Sequence, residues 1–280
     1  MMALPDGMGA VGDKQARLAG ILRSLGRVAV AYSGGVDSTY LLAIAVDMLG
    51  SDNVLALTVA SELVPMREVT LAQETASRLG VKHQLLMLQA LAVPDIAANP
   101  PDRCYFCKQE TLQRIEVAAA AQGFSHLVHG ANLDDQGDYR PGARAAAELG
   151  ARAPLEEAGL TKAEIRELSR RRGLPTWDQP SQACLASRVP YDTPLTAETL
   201  RRIEAAEEYV RARLEVQAFR VRDHFPVARI EMPPGDWPAL LAEDARAALV
   251  AEFCRLGYRY VALDLAGLRS GSMNDLLRER

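Results

Sequence analysis

At 280 residues the chain is long enough for one large or two modest domains with a filled core. Its make-up, 49% apolar and 24% charged, is that of a globular protein, and a net charge of −4 argues against a dedicated nucleic-acid binder without excluding a local basic groove. The N-terminus lacks the basic start and apolar core of a signal peptide, and no uncharged apolar run reaches membrane-spanning length; a cytoplasmic protein with reduced thiols is expected.

Residues 27–33, RVAVAYS, read as a short buried strand, followed by a glycine turn and the apolar run STYLLAIAVDMLG. NVLALTVA (53–60) is a second strand, and PMREVTLAQETASRLG has the apolar spacing of a helix ended by Gly80. KHQLLML (82–88) is a third strand, and the Pro- and Ala-rich LAVPDIAANPPDR fits an exposed loop. KQETLQRIEVAAAAQGF is a helix stopped at Gly123, and HLVHGA (126–131) a fourth strand. Strands alternating with helices predict an α/β fold with a doubly wound parallel sheet.

From about residue 196 the pattern changes. TAETLRRIEAAEEYVRARL is a long charged helix, FRVRDH and VARIEM suit a hairpin, DWPALLAEDARAALVAEFCRLG is an amphipathic helix and YRYVALDLA a last strand. This order predicts a smaller C-terminal α+β domain. The intervening LPTWDQPSQACLASRVPYDTP has four prolines and no period, and is too long for an idle connection. The expected division is a first domain over 1–175, an active-site loop over 176–195 and a second domain over 196–280.

SGGVDS (33–38) lies between the first strand and the first helix. Gly34 and Gly35 permit close approaches that side chains block, the helix start offers free N–H groups to an anion, and Ser33, Ser38 and Thr39 add hydroxyls. The stretch is neither a Walker A loop nor a G-x-G-x-x-G fingerprint. Asp37 beside a phosphate is repulsive unless a Mg²⁺ takes both sets of oxygens; the plainer alternative is a tight turn capped by Asp37 or Ser38. GANLDDQGDYRPG (130–142) follows the fourth strand, at the sheet edge where ligands bind. Asp134, Asp135 and Asp138 form an acidic cluster suited to Mg²⁺ and Arg140 suits a phosphate, against the alternative of a solvated turn.

PDRCYFCK (101–108) holds Cys104 and Cys107; Cys184 lies in SQACLASR and Cys254 in AEFCRLG. In a reduced compartment a disulfide is disfavoured and metal or redox chemistry favoured. Structural zinc wants four ligands, yet Cys254 is expected in the core of its helix, and His126 and His129 belong to a buried-looking strand. Three thiolates suit an iron–sulfur cluster with one open iron. The other reading is one reactive thiol, Cys184, kept as thiolate by nearby Arg188, with two bystanders. Arg220 and Arg222 in FRVRDH face one side of a strand, suited to a phosphate or carboxylate or to salt bridges with glutamates.

SGGVDS after an apolar strand resembles the PP-loop of the N-type ATP pyrophosphatases, which have the adenine nucleotide alpha hydrolase-like fold, hold the pyrophosphate of ATP and transfer AMP to a substrate oxygen. Together with PDRCYFCK, GANLDDQGDYRPG, WDQPSQACLASR and FRVRDH, it makes the chain similar over nearly its whole length to the LarE-type sulfur transferases of nickel-pincer nucleotide biosynthesis. The resemblance implies ATP-dependent adenylation of the carboxylates of pyridinium-3,5-biscarboxylic acid mononucleotide and replacement of oxygen by sulfur. With the residue chemistry above, the expected ATP site is Ser33, Gly34, Gly35, Asp37, Ser38 and Arg140, and the expected Mg²⁺ ligands are Asp37, Asp134 and Asp135. Cys184, Ser187 and Arg188 are implied as catalytic, and Glu208, Arg220, Arg222 and Glu231 as lining the mononucleotide pocket.

One form of the family sacrifices the sulfur of a single cysteine, here Cys184; another holds a [4Fe–4S] cluster on three, matching Cys104, Cys107 and Cys184. This chain has the three-cysteine pattern. Relatives are hexamers, so a homo-oligomer is implied, with no nucleic-acid or membrane partner. The competing enzyme is a cluster-bearing PP-loop tRNA thiolase, disfavoured by the acidic balance and by the lack of a recognisable RNA-binding module. A nucleotide sensor or cluster-assembly factor without turnover is the alternative outside enzymes, and an amidating ligase leaves the cysteines unexplained.

Overall fold

The computed structural model describes residues 6–137, 141–180, 183–269 and 271–273. Helix α1 (Asp6–Leu25) precedes β1 (Val28–Ala31), α2 (Val36–Leu49), β2 (Val54–Ala60), α3 (Met66–Arg78) and β3 (Lys82–Met87). A single turn, α4 (Pro94–Ala97), leads to α5 (Arg103–Ala120), β4 (His126–His129), α6 (Pro141–Glu148), α7 (Pro154–Glu157) and α8 (Lys162–Arg171). The remainder holds α9 (Ala197–Leu214), β5 (Arg220–His224), β6 (Val227–Glu231), α10 (Trp237–Leu241), α11 (Glu243–Arg255) and β7 (Tyr260–Leu263). No helix among the described residues is long and apolar enough to cross a membrane.

The chain divides into two compact units. The first comprises Met1–Ser61, Met66–Leu88 and Asp102–Ser181; the second comprises Glu62–Pro65, Gln89–Pro101 and Gln182–Arg280. Two segments that sequence order places in the first domain thus belong to the second unit. Backbone hydrogen bonds explain why: Leu185 N donates to Leu63 O at 2.8 Å, Leu195 N to Ala97 O at 2.7 Å and Asp192 N to Asn99 O at 2.9 Å. The Asn99 amide adds bonds to Pro190 O and Thr193 O.

In the first unit the expected α/β architecture is present: four parallel strands in the order β3-β2-β1-β4. β1 and β2 are almost continuously apolar because both faces are covered. Val28 and Val30 join a core with Leu18 and Leu22 of α1, Leu41 of α2 and Ile165 of α8. Ala29, one residue out of phase, joins the opposite layer with Leu55, Leu57, Leu112 and Ile115. Chain order reverses between β1 and β4, which makes the carboxyl ends of those strands the switch point of the sheet. α5 starts at Arg103, earlier than its apolar spacing suggests, so the Cys104/Cys107 pair lies within its first two turns. His126 is exposed rather than buried, because β4 alternates its faces.

The second unit is a three-stranded sheet, β5-β6-β7. β5 and β6 form the expected antiparallel hairpin, and β7 adds in parallel beside β6. Val221, Ala228 and Ile230 pack with Val210 of α9 and with Leu249 and Phe253 of α11. The amphipathic segment 236–257 is broken into α10 and α11 by the extended backbone of Ala242 (φ −53°, ψ 136°). Cys254 is exposed, correcting its expected core position: the buried stripe of α11 is Ala245, Leu249 and Phe253, and the next residue turns out of it.

Candidate functional site

In the first unit the chain leaves β1 and enters α2 through residues 32–35. Gly34 has φ +77°, and a Cβ there would lie 2.9 Å from the Cβ of Ala72 in α3. At Gly130, just beyond β4, a Cβ would lie 2.8 Å from Ser38 N. Two glycines therefore allow the loop, α3 and the exit of β4 to close together at the switch point. α2 starts without a side-chain cap, so its first amides remain available as anion donors. Ser38 Oγ donates to Gly35 O at 3.2 Å and lies 3.0 Å from Ser33 Oγ.

Asp37 is half-buried, and its carboxylate is unevenly served. Oδ2 is ion-paired with Lys162 Nζ, whereas Oδ1 is buried without a hydrogen-bond partner among the described residues. The backbone N–H of Lys162 also donates to Asp134 Oδ2 at 2.8 Å. Asp135 Oδ2 accepts from Asn132 N at 3.0 Å, and Asn132 Oδ1 from Asp134 N at 3.0 Å, so these carboxylates shape the turn as well as charging it. The structure thus joins Asp37 and Asp134 through a residue that sequence reasoning missed. Its signal was present: Thr161 and Glu164 form a capping box, which makes Lys162 the first residue of α8. A cation there opposes the helix dipole unless an anion faces it. Asp138 and Arg140 lie outside the described residues.

Beneath the loop, Thr58 Oγ1 donates to Tyr32 O at 2.7 Å and lies 2.8 Å from His83 Nε2. The single hydroxyl proton of Thr58 is committed to the carbonyl, so His83 donates from Nε2. Burial lowers the His83 pKa, which favours the neutral ring.

Cys104 is exposed and Cys107 half-buried, three apart on one face of the first two turns of α5. Buried Arg103 places Nη2 3.7 Å from Cys104 Sγ. Loss of water lowers the pKa of Lys108, with the Cys107 thiolate pulling it back up. At the end of β4, burial and then the charge of Lys108 push His129 down to about 4. Among the described residues, no group of three His, Cys, Asp or Glu side chains is arranged to hold a metal ion.

In the second unit, Cys184 caps a 3₁₀ turn over Leu185–Arg188. Ser187 Oγ donates to Cys184 O at 2.8 Å. Arg188, expected as the thiolate's cation, is buried, with Nη1 on Ala183 O, Cys184 O and Ser187 Oγ and with Nε and Nη2 on Glu207. It grips the backbone around the cysteine. Glu208, expected to line the mononucleotide pocket, is exposed on α9; the carboxylate that reaches this network is its neighbour Glu207. Arg222 is 5% exposed and donates to Ser187 O at 2.6 Å and Glu231 Oε2 at 2.7 Å. Its Nε has no hydrogen-bond partner among the described residues. Arg220 pairs in register with Glu231, and Arg222 with Arg229, so all four share one face of the hairpin. Arg229, also missed, lies 3.0 Å from Glu231 and is ion-paired with Asp264. The alternation of VARIEM beside FRVRDH was its signal.

Comparison with known proteins gives three levels of likeness. The NAD synthase family matches residues 22–104, from α1 through the glycine loop to Cys104. The pyridinium-3,5-bisthiocarboxylic acid mononucleotide synthase of Lactiplantibacillus plantarum is 40% identical, across 96% of this chain and 97% of its own length. An uncharacterized protein of Synechocystis sp. is 43% identical over 90% of this chain and 94% of its own. Argininosuccinate synthase of Halobacterium salinarum is 30% identical over 54% of this chain and 40% of its own.

Proposed function

The chain belongs to the LarE-type family of pyridinium-3,5-bisthiocarboxylic acid mononucleotide synthases, and from that premise we propose that it adenylates the carboxylates of pyridinium-3,5-biscarboxylic acid mononucleotide with ATP and replaces their oxygen by sulfur. It is an ATP-using enzyme. The observation that carries the nucleotide half of the reading is the glycine cradle of Gly34 and Gly130, with its open helix amides and the unsatisfied Asp37 Oδ1.

The orphan oxygen suits a Mg²⁺ ion, which Asp37 would hold; Asp134 and Asp135 are the further candidate ligands, although the described residues do not gather the three carboxylates into one group, and the ion would offset the charge of the departing pyrophosphate. Ser33, Gly35, Ser38 and Arg140 would complete the phosphate site. Lys162 is already at the loop and would keep Asp37 neutralised until ATP arrives. Adenylation turns a carboxylate into an electrophile with AMP as leaving group.

In the second unit Arg220 and Arg222 would meet the anionic groups of the mononucleotide, a reading supported by the buried Nε of Arg222, which has no hydrogen-bond partner among the described residues. Cys184, with Ser187 and Arg188 holding its turn, would present the sulfur. On the family pattern Cys104, Cys107 and Cys184 would be the ligands of a [4Fe–4S] cluster; what supports the reading is donor type, all three being free thiols. Bound there, the cluster supplies a transferable sulfide. Free thiols support a reduced, cytoplasmic setting, and family membership supports a hexamer.

The test is anaerobic incubation with ATP and the mononucleotide. Release of AMP and pyrophosphate with oxygen-to-sulfur exchange in the product is expected; turnover only with added tRNA overturns the substrate. Iron, acid-labile sulfide and an intact Cys184 after turnover mark the cluster route, whereas absence of iron with loss of sulfur from Cys184 marks the sacrificial one.

A further inference from the structure

The turn that carries Cys184 is held by its peptide oxygens. Arg188 Nη1 lies 2.5 Å from Ala183 O, 3.1 Å from Cys184 O and 2.9 Å from Ser187 Oγ. A guanidinium can do this only if its plane is fixed, and the fixing group is Glu207. Glu207 Oε1 accepts from Arg188 Nε at 2.9 Å, and Oε2 from Arg188 Nη2 at 3.0 Å. Oε1 also accepts from the backbone N–H of Val221 at 3.0 Å, which ties the carboxylate to β5. Arg188 is 3% exposed and Glu207 6% exposed, so neither charge has bulk water as a substitute partner.

We propose that Glu207 is a positioning residue for the sulfur-delivering step: through Arg188 it fixes the backbone turn on which the Cys184 thiol is carried. This rests on the sulfur-transfer reading above. A buried ion pair is poor evidence for added stability, since an apolar pair of the same shape often does as well. What an apolar pair cannot do is hold three oxygens of a turn in one place. The carboxylate therefore has a specific function in the cysteine's geometry, distinct from the general packing of α9.

The test compares wild type, Glu207→Gln and, as a control at an exposed position of α9, Arg201→Ala, as full-length, anaerobically purified proteins. Two readouts are taken: pyrophosphate release against sulfur delivery, and the iodoacetamide alkylation rate of each cysteine resolved by mass spectrometry. Glu207→Gln is expected to slow sulfur delivery by about ten- to a hundred-fold, the loss that a small misplacement costs, while pyrophosphate release stays within about two-fold. The alkylation rate of Cys184 is expected to change by about five-fold or more while that of Cys254 stays within about two-fold.

Equal losses in both half-reactions, or equal changes at Cys184 and Cys254, reduce Glu207 to a packing residue and overturn the proposal; so does an unchanged Cys184. If Glu207→Gln does not fold, the paired Arg188→Met, Glu207→Met protein, which leaves no buried charge alone, is read by the same criteria. Absence of pyrophosphate release or of sulfur transfer in wild type strikes the functional reading instead, and the alkylation rates still report on the turn.

Discussion

The glycine loop of the first unit and the cysteine turn of the second solve opposite problems. The loop is shaped by what is missing among the described residues: Cβ atoms at Gly34 and Gly130, a side-chain cap on α2, a partner for Asp37 Oδ1. The cysteine turn is shaped by surplus, with one buried guanidinium serving two carbonyls, a hydroxyl and a carboxylate. Vacant donors and a bare carboxylate oxygen suit a segment that must receive a charged ligand with its metal. Saturated hydrogen bonding suits a segment that must keep one atom still while chemistry happens to it.

That contrast breaks most visibly at the thiol itself. Cys184→Ala should lower sulfur delivery by about a thousand-fold or more while ATP-dependent pyrophosphate release continues. If both stop together, the receiving and delivering regions are not separable. Gly34→Ala combines an unfavourable positive φ with a 2.9 Å approach to Ala72, so ATP affinity measured by calorimetry should fall by about a hundred-fold. A near-normal affinity removes the cradle from the argument. Lys162→Met strips the cation from Asp37 and should raise the KM for ATP by about ten-fold. An unchanged KM makes Lys162 no more than the first residue of α8.

A smaller effect concerns stability. His129 is held neutral, with a folded pKa of about 4 against an ordinary 6.5. Between those values the unfolded chain binds the extra proton, so stability falls as pH drops from 6.5 toward 4, by roughly 3 kcal/mol at most. Urea midpoints at pH 7 and pH 5 measure this, and His129→Asn should flatten the difference. Smallest of all, Arg201→Ala, at an exposed position of α9 with no role in either site, should leave turnover within about two-fold. A loss as large as that of Glu207→Gln would show that any change on α9 disturbs the cysteine turn.

Much of the first unit was legible because its signals are local. SGGVDS names its own loop: two glycines between an apolar strand and an apolar helix leave few other conformations. The strands announced themselves by apolar runs, and the hairpin of FRVRDH and VARIEM by alternation. Cys254 shows the limit of such reasoning, since composition favoured burial and one step of 100° along α11 decided otherwise. Glu207 and Glu208 show it again, because either suits a charged helix and only the rotation of α9 turns one of them inward.

By itself the sequence determined the periods, the glycine loop, the sheet class and the kinds of side chain available for chemistry, since each is written in neighbouring residues. Tertiary structure alone decided the pairings. Lys162 meets Asp37 across 125 positions, and segments 62–65 and 89–101 leave the first unit to join residues 183–195. Periodicity fixes which face of an element a residue occupies. Which face of another element it then meets depends on the whole packing of the chain, and no local pattern records that.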